Sequence, residues 1–276
     1  MNKVSGILIC SLCFALLQTG LAQEVQSSDD SSFLAKKTIC ASRITAPPKI
    51  DGLLDEPVWK TLYVADRFVQ FTPYNGIQPK YRTEVRFGYD DVALYAGAFM
   101  TDPHPDSILR ELGRRDQIDD LNTDFITVDI LPYNDGLNMF EFKISAAGIQ
   151  GDTKFSAVGH DRNWDAVWES AVHISDSGWS VEVKIPYSAL RFPKTEKQVW
   201  GINIWRNLQR FREYSIWTFI PNDVGEIFRY YGELTGIEQV KTPVRLSFTP
   251  YLGAYIENHP GFKGWTPLIQ GGMDLK

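Results

Sequence analysis

The feature that most constrains this chain is a series of short segments in which apolar and polar residues alternate, separated by breaks rich in Gly, Pro, Asn and Asp. Alternation with a period of two is typical of β-strands with one buried face. No long amphipathic helix occurs, and only residues 56–62 and 187–190 suggest helical turns. The clearest strand segments are 83–89, 94–100, 124–131, 139–145, 179–185, 200–206 and 214–219. The pattern predicts an all-β fold, an antiparallel β-sandwich, rather than a βαβ fold.

The same alternation separates the two faces of the predicted sheet. One face is apolar, with residues such as Ile126, Phe142 and Ile202, whereas the other carries Thr, Asp, Glu, Lys and Asn. A solvated outer face is the ordinary interpretation, because half-exposed antiparallel sheets alternate in this way. Trp205 lies among these polar residues, and an indole at that position favours a binding face instead. Both interpretations stay open.

The N-terminal end differs from the strand region. Residues 1–23 combine Lys3, an apolar run at 7–17 and small residues at the end, which predicts a secretory signal peptide. Residues 24–38 are polar and rich in serine, which is typical of a disordered leader. Export predicts a location in the outer membrane or periplasm, or at the cell surface, of a Gram-negative bacterium.

The predicted sandwich occupies residues 39–241, and the last segment, 242–276, has a different pattern. Residues 244–258 alternate throughout, and a second alternating run begins at Pro267. Alternating strands of roughly ten residues joined by turns are typical of transmembrane β-barrels. The sequence therefore predicts the first strands of a truncated outer-membrane β-barrel. The alternative is a hairpin that packs on the sandwich.

Charge and motifs argue against several classes of function. The formal net charge is −6, and phosphate binding needs a concentrated basic face, so no nucleic-acid partner is expected. The histidines are scattered without metal-ligand spacing, and neither a nucleophile elbow nor a phosphate loop occurs. The sequence therefore favours a protein that is not an enzyme; Glu141 and Glu182 are the loose candidates for a glycosidase carboxylate pair, and charges on a solvated face are the favoured interpretation. Any glycoside hydrolase activity would come from an associated protein.

The segment 49–59, Lys-Ile-Asp-Gly-Leu-Leu-Asp-Glu-Pro-Val-Trp, resembles the opening of family 9 carbohydrate-binding modules. Further blocks are similar to that family in the same order, at residues 85–95, 124–130, 200–204 and 231–234. The resemblance implies a β-sandwich that binds a glycan without catalysis, in the service of polysaccharide catabolism. It also implies a structural calcium ion.

A second set of blocks points to a narrower group: Arg115-Asp116, Asn134-Asp135-Gly136, Gly148-Ile149-Gln150, residues 164–170 and 190–193, and Trp205-Arg206-Asn207. They look like the N-terminal module of a family of large outer-membrane proteins of unknown function from Bacteroidota-type bacteria. In that family a family-9-like domain precedes a β-barrel. The resemblance implies that a barrel links this domain to the outer membrane.

Sugar-binding members of family 9 clamp a terminal sugar between two tryptophan rings and bind its hydroxyls with an acid and an arginine. The matching positions are Leu121, Thr127, Lys143, and Ile227 or Phe228. Only Lys143, a cation at the arginine position, and Phe228, an aromatic at the second tryptophan position, keep the kind of side chain that the family uses. The resemblance therefore implies a different mode of binding. The candidate carbohydrate-binding residues are Trp205, Lys143, Glu141, Asn203, Trp164 and Trp168. For each of these tryptophans, packing in the core or on a hairpin is the alternative role.

The candidate metal site is the densest acidic cluster, formed by Asp116, Asp119, Asp120 and Asp124. Calcium takes oxygen ligands from carboxylates, amides and carbonyls, which a loop of this kind supplies. A solvated acidic loop, with Asp116 and Asp119 paired to neighbouring arginines, is the alternative.

Two functions remain from the sequence. The first is a non-catalytic carbohydrate-binding domain of an exported cell-envelope protein, which the intact family framework favours. The second is a structural or interaction domain that packs on an outer-membrane β-barrel, its sugar site lost, which the missing tryptophans favour. The first is the prediction.

Overall fold

The computed structural model describes residues 36–242, 248–258 and 264–275. The predicted signal peptide and nearly all of the predicted leader lie outside the described residues. Within them nearly all of the regular secondary structure is β-strand, and two sheets pack on either side of an apolar core. The predicted all-β sandwich is confirmed.

The described strands, in chain order, are β1 (Thr38–Cys40), β2 (Ser42–Arg43), β3 (Val64–Ala65), β4 (Val69–Thr72), β5 (Thr83–Tyr89), β6 (Ala93–Thr101), β7 (Phe125–Leu131), β8 (Met139–Ser145), β9 (Gln150–Ser156), β10 (Gly159–Asp161), β11 (Glu169–Ser175), β12 (Gly178–Pro186), β13 (Lys197–Leu208), β14 (Glu213–Ile216), β15 (Gly232–Glu238), β16 (Phe248–Glu257) and β17 (Thr266–Leu275). The larger sheet has the order β1-β15-β13-β7-β8-β9-β10, with β14 beside β13 and β4 beside β14. The smaller sheet has the order β11-β12-β6-β5-β2, with β3 beside β5. Strands β16 and β17 pair with each other as a separate hairpin.

The core is built from the inward faces of both sheets. Phe87 of β5 and Val181 of β12 meet Val128 of β7, Phe142 of β8 and Ile202 of β13, and all five are buried. Each buried side chain of this size contributes roughly 1.5–3 kcal/mol relative to an exposed one. In β7, β8 and β13 of the larger sheet, the buried face is the apolar face that the alternation of residues predicts.

The first two strands connect the sheets. β1 pairs in parallel with β15 at an edge of the larger sheet, and β2 pairs in parallel with β5 at an edge of the smaller sheet. Ala41 lies between them and is buried. The other described strand pairs are antiparallel. The sandwich is therefore antiparallel except at these two edge strands. A strand that is not joined to its neighbour by a hairpin can run in either direction beside it.

The predicted element boundaries hold to within a few residues at most strands. β5 and β8 coincide with the predicted segments, whereas β14 ends three residues earlier than its segment. The first predicted helical turn is helix α1 (Pro57–Thr61), but residues 187–189 form a simple turn. The predicted segments omit β9, in which Phe155 is the one large apolar residue, and they also omit β11. No helix in the described residues is long and apolar enough to cross a membrane.

The segment that contains α1 covers the outer face of the smaller sheet. Trp59 of α1 lies against Gly97 of β6 so closely that a Cβ there would stand 2.8 Å from the indole ring. Glu182 of β12 accepts hydrogen bonds from the backbone N–H groups of Asp51 and Gly52, each at 2.9 Å, and from Nε1 of Trp59 at 2.8 Å. This face is therefore occupied by the chain itself.

The outer face of the larger sheet is only partly covered. Side chains from β4, β14 and the short 3₁₀ helix Ile227–Tyr230 pack on it through a second apolar cluster. Val69, Leu131 and Ile216 are buried in that cluster. The rest of the face, over β7, β8 and β13, borders a pocket.

The hairpin of β16 and β17 has one apolar face. The pairing register and the alternation of side chains place Phe248, Leu252 and Ile256 on the same face as Ile269 and Met273. All five side chains are exposed. The other face is mixed, and there the ring of Tyr251 lies over Gly272, its cross-strand neighbour.

Candidate functional site

The partly open face of the larger sheet arranges its side chains in rows across four strands. One row crosses β13, β7, β8 and β9 through Asn203, Asp129, Glu141 and Thr153. The next row crosses the same strands through Trp205, Thr127, Lys143 and Gly151. Direct neighbours in such rows have Cβ atoms about 4.5–5.5 Å apart. Side chains that are distant in sequence therefore meet here.

A pocket of about 180 Å³ opens on these rows. Its polar lining comes from Thr127, Asp129, Glu141 and Lys143, with Asp119 beside them. Its apolar lining includes Phe155, Trp205, Phe228 and Tyr231. A largely apolar concavity with a few placed polar groups is the usual composition of a small-molecule site.

The aromatic residues of the pocket pack against other aromatic rings. Phe228 packs edge-on against Phe155 and Tyr231, with ring centres 6.0 and 5.5 Å apart. Trp205 packs edge-on against Phe71 of β4, at 5.3 Å. Because these contacts hold the rings in place, a ligand that enters would not need to order them first.

Asp129 is the most buried acid of the pocket. Its Oδ2 accepts hydrogen bonds from Nε1 of Trp205 at 2.8 Å and from the hydroxyl of Tyr231 at 2.5 Å. Its Oδ1 is buried without a hydrogen-bond partner. Burial, with the charge of Glu141, raises the pKa of Asp129 to about 8. A neutral carboxyl group is therefore its main form at neutral pH.

Glu141 and Lys143 form the accessible part of the polar lining. Nζ of Lys143 lies 2.6 Å from a carboxylate oxygen of Asp119 and 3.6 Å from one of Glu141. Burial raises the pKa of Glu141 above its ordinary value. Burial opposes the charge of Lys143, but Glu141 and Asp119 outweigh it, so its pKa is also raised. Lys143 therefore stays charged and bridges two acids.

The structure brings three of the six predicted binding residues together at this pocket: Trp205, Lys143 and Glu141. Asn203 lies in the same row but is fully buried. Its Oδ1 accepts from the backbone N–H groups of Ile204 and Thr218, and its Nδ2 donates to the Thr218 carbonyl. The amide of Asn203 therefore ties β13 to the following chain and is not presented to the pocket.

Trp164 and Trp168 do not form a platform with Trp205. Trp168 is buried, donates its Nε1 to Asp152 at 3.1 Å, and packs edge-on against Phe142 at 5.3 Å. Trp164 is half-buried and packs on Phe140 at 5.1 Å. Both belong to the rim of the core between the sheets, which is the alternative role that the sequence left open.

Three of the four acids of the candidate calcium site, Asp116, Asp119 and Asp120, line one small pocket, and Asp124 does not. Asp119 pairs with Lys143, and Oδ1 of Asp116 accepts from the backbone N–H of Asp152 at 3.0 Å. Asp124 is buried and accepts from the backbone N–H of Gln209, and burial raises its pKa to about 6. No three acidic, histidine or cysteine side chains in the described residues are grouped to hold a metal ion. Calcium stays a prediction without a ready-made set of ligands.

Sequence reasoning missed Asp129, Tyr231 and Phe155. The alternation of β7 already places Asp129 on the outer face of the sheet. Its burial, however, depends on Tyr231, which is 102 residues further along the chain. No local pattern indicates such a contact. Phe155 lies in β9, one of the strands that the alternation did not show.

The positions assigned by resemblance mostly lie at the pocket. Thr127, Lys143, Ile227 and Phe228 line it. Leu121 instead packs into a small apolar cluster with Ile118. The position that matches the first clamp tryptophan of family 9 therefore does not line the pocket.

No family model matches the chain, and no curated protein matches it. Among solved structures, a family 9 carbohydrate-binding module from Caldicellulosiruptor kristjanssonii in complex with cellotriose is 16% identical, with a TM-score of 0.52 over 76% of this chain and 98% of that chain. The family 9 module from that organism in complex with glucose is also 16% identical, with a TM-score of 0.52 over 75% and 100%. A protein from Bacteroides uniformis, provisionally assigned as carbohydrate-binding, is 10% identical, with a TM-score of 0.56 over 73% and 99%. The likeness shows the fold: the chain has the β-sandwich of family 9 modules.

Proposed function

We propose that this chain is a non-catalytic carbohydrate-binding domain that takes a sugar ring in the pocket over β7, β8 and β13. The observation that carries the proposal is the pairing of aromatic walls with the polar residues Asp129, Glu141 and Lys143. Aromatic rings remove the apolar face of a sugar from water, and charged groups hold its hydroxyls by strong hydrogen bonds. The solved family 9 modules with the same fold hold cellotriose and glucose.

The cellular setting of this role is also a proposal. The predicted signal peptide supports export, and the resemblance to outer-membrane proteins supports a place in the Gram-negative cell envelope. There the domain would hold glycan for polysaccharide catabolism carried out by associated enzymes. Fractionation of cells that express the full chain tests the location, and recovery of the chain in the cytoplasm would contradict it.

The binding test is a glycan array followed by calorimetric titration of the full chain. Phe228→Ala removes part of the aromatic wall, and we expect it to weaken binding by about 1–3 kcal/mol. Phe211→Ala is the matched control, because Phe211 is a partly exposed aromatic that does not line the pocket. Equal losses for the two variants, or no bound glycan with an intact circular-dichroism spectrum, would contradict the proposal.

A second candidate function rests on the hairpin. Its apolar face, with Leu252 and Ile269 exposed, is the arrangement expected of strands that face lipid. The domain would then serve as the module that precedes an outer-membrane β-barrel, and the hairpin would supply barrel strands. This role is compatible with sugar binding and becomes the leading one if no glycan binds.

Flotation with phospholipid vesicles tests the second candidate. Leu252→Lys places a charge on the apolar face, and we expect it to reduce the floated fraction. Gln270→Lys, on the mixed face of the same hairpin, is the control. If both variants float like the unmodified chain, the apolar face does not contact lipid.

A further inference from the structure

The pocket has more acids than cations. Asp119, Asp129 and Glu141 line it, whereas Lys143 is the one cationic side chain in its described lining. Lys143 already lies within ion-pair distance of Asp119 and Glu141. Its single positive charge therefore cannot balance all three carboxyl groups.

Asp129 is the acid of the pocket that has no cation beside it. Its side chain is almost completely buried, no cation in the described residues lies within ion-pair distance, and its Oδ1 has no partner. A buried carboxylate without a counter-charge is costly, so the group is held neutral, with a pKa of about 8. An added positive charge beside Asp129 and Glu141 would remove that cost.

The position for such a charge is defined by the sheet register. Asp129 and Glu141 are direct cross-strand neighbours on one face, and Glu141 is the more accessible of the two. A cation that contacts Glu141 from the pocket would have Asp129 behind it. The aromatic rings of Trp205 and Phe228 border the same space, and aromatic rings attract cations while covering apolar ligand surface.

We infer that the pocket selects a sugar that carries a protonated amine over the corresponding neutral or acidic sugar. This inference rests on the proposed sugar-binding function and names the ligand class of the same site. The amine would contact Glu141, and the ring would lie between the aromatic residues. An acidic sugar would bring a further carboxylate beside the charged acids of a pocket with one cation, and like charges repel.

The test is titration of the full chain with glucosamine, glucose and glucuronic acid at pH 7, followed by calorimetry or ligand-detected NMR. Because hydrogen bonds to charged groups are the strong ones, we expect glucosamine to bind roughly tenfold more tightly than glucose. Glucuronic acid should bind more weakly than glucose. If glucose binds as tightly as glucosamine, the inference fails while the proposed function stands. If none of the three sugars and no array glycan binds, the proposed function fails as well.

Variants separate the charge effect from folding. Glu141→Gln removes the accessible carboxylate, and Asp129→Asn replaces the buried carboxyl group by an amide of the same size that cannot ionise when an amine binds. Each should lower the ratio of glucosamine to glucose affinity toward one. Glu169→Gln on β11, an exposed acid outside the pocket, should leave the ratio unchanged. A ratio that persists in both pocket variants would overturn the inference, whatever their stability.

Discussion

The hydroxyl of Tyr231 donates a hydrogen bond to Oδ2 of Asp129 over 2.5 Å. Tyr231 directly precedes β15, the last strand of the larger sheet along the chain, and lines the buried end of the pocket. Both groups are almost fully buried. The bond therefore connects the closing strand to the middle of the sheet, and the stability of the fold depends on the same carboxyl group as the proposed binding site.

Tyr231→Phe should lower the free energy of unfolding by about 1–3 kcal/mol, because it leaves a buried carboxyl group with one donor fewer. Urea denaturation followed by fluorescence measures the change. Tyr230→Phe is the control, since Tyr230 is the exposed neighbouring tyrosine. A loss that is the same in both variants would show that the buried bond adds no stability.

Asp129 should also make the stability of the fold depend on pH. Its pKa rises from 3.8 to about 8 on folding, so between those values the folded chain keeps a proton that the unfolded chain has lost. The free energy of unfolding should therefore fall as the pH rises from about 4 to about 8, by at most about 1.4 kcal/mol per pH unit. The groups that face Asp129 are Glu141, Lys143, Trp205 and Tyr231.

Asp129→Asn isolates this effect, because other buried acids such as Asp124 titrate in both proteins. The unmodified chain should lose more stability than the variant between pH 5 and 8. Denaturant titrations at fixed pH values measure the difference. Parallel pH profiles for the two proteins would mean that Asp129 titrates near its ordinary pKa.

The alternation of residues in β7, β8 and β13 was sufficient to predict which side chains face the core and which face outward. It placed Trp205, Lys143 and Glu141 on one face, and the pocket brings those three together. This part of the site is predictable because a strand has a period of two, and parity alone decides the face.

Parity does not show what covers a face. Glu141 and Glu182 have equivalent patterns in sequence, yet they lie in different sheets. Glu141 borders the pocket, whereas Glu182 is buried under the segment that contains Trp59. The sequence did not show the burial of Trp168 and Asn203 for the same reason, since that burial depends on chain segments that no local pattern connects to them.

The calcium prediction has a direct test. Since Asp119 is paired with Lys143, a bound calcium ion would have to replace that ion pair; if the prediction holds, the unfolding midpoint should rise in calcium and fall in chelator, and an unchanged midpoint would contradict it. Thermal melts of the full chain in calcium and in chelator measure this. A midpoint that rises with calcium, and no longer does so in Asp119→Asn, would show that the acidic loop rearranges to bind the ion.

Glu182 should contribute to stability without contributing to sugar binding. Its carboxylate accepts three hydrogen bonds, from the backbone of Asp51 and Gly52 and from the Trp59 indole, and the last two are buried. Glu182→Gln replaces one acceptor oxygen by a donor that meets another donor. We expect it to lower the free energy of unfolding by about 2–3 kcal/mol, measured by urea denaturation.

Glu169→Gln is the matched control for that variant. Glu169 lies on the neighbouring strand β11 and pairs with Lys184 at 2.7 Å, but it is exposed, so its loss should cost no more than about 1 kcal/mol. Glu182 is covered by the segment that contains Trp59, on the smaller sheet and away from the pocket. Under conditions where the chain is folded, Glu182→Gln should therefore bind any glycan identified on the array with unchanged affinity. A weakened glycan affinity in that variant would place ligand binding, at least in part, on the smaller sheet and not on the pocket of the larger one.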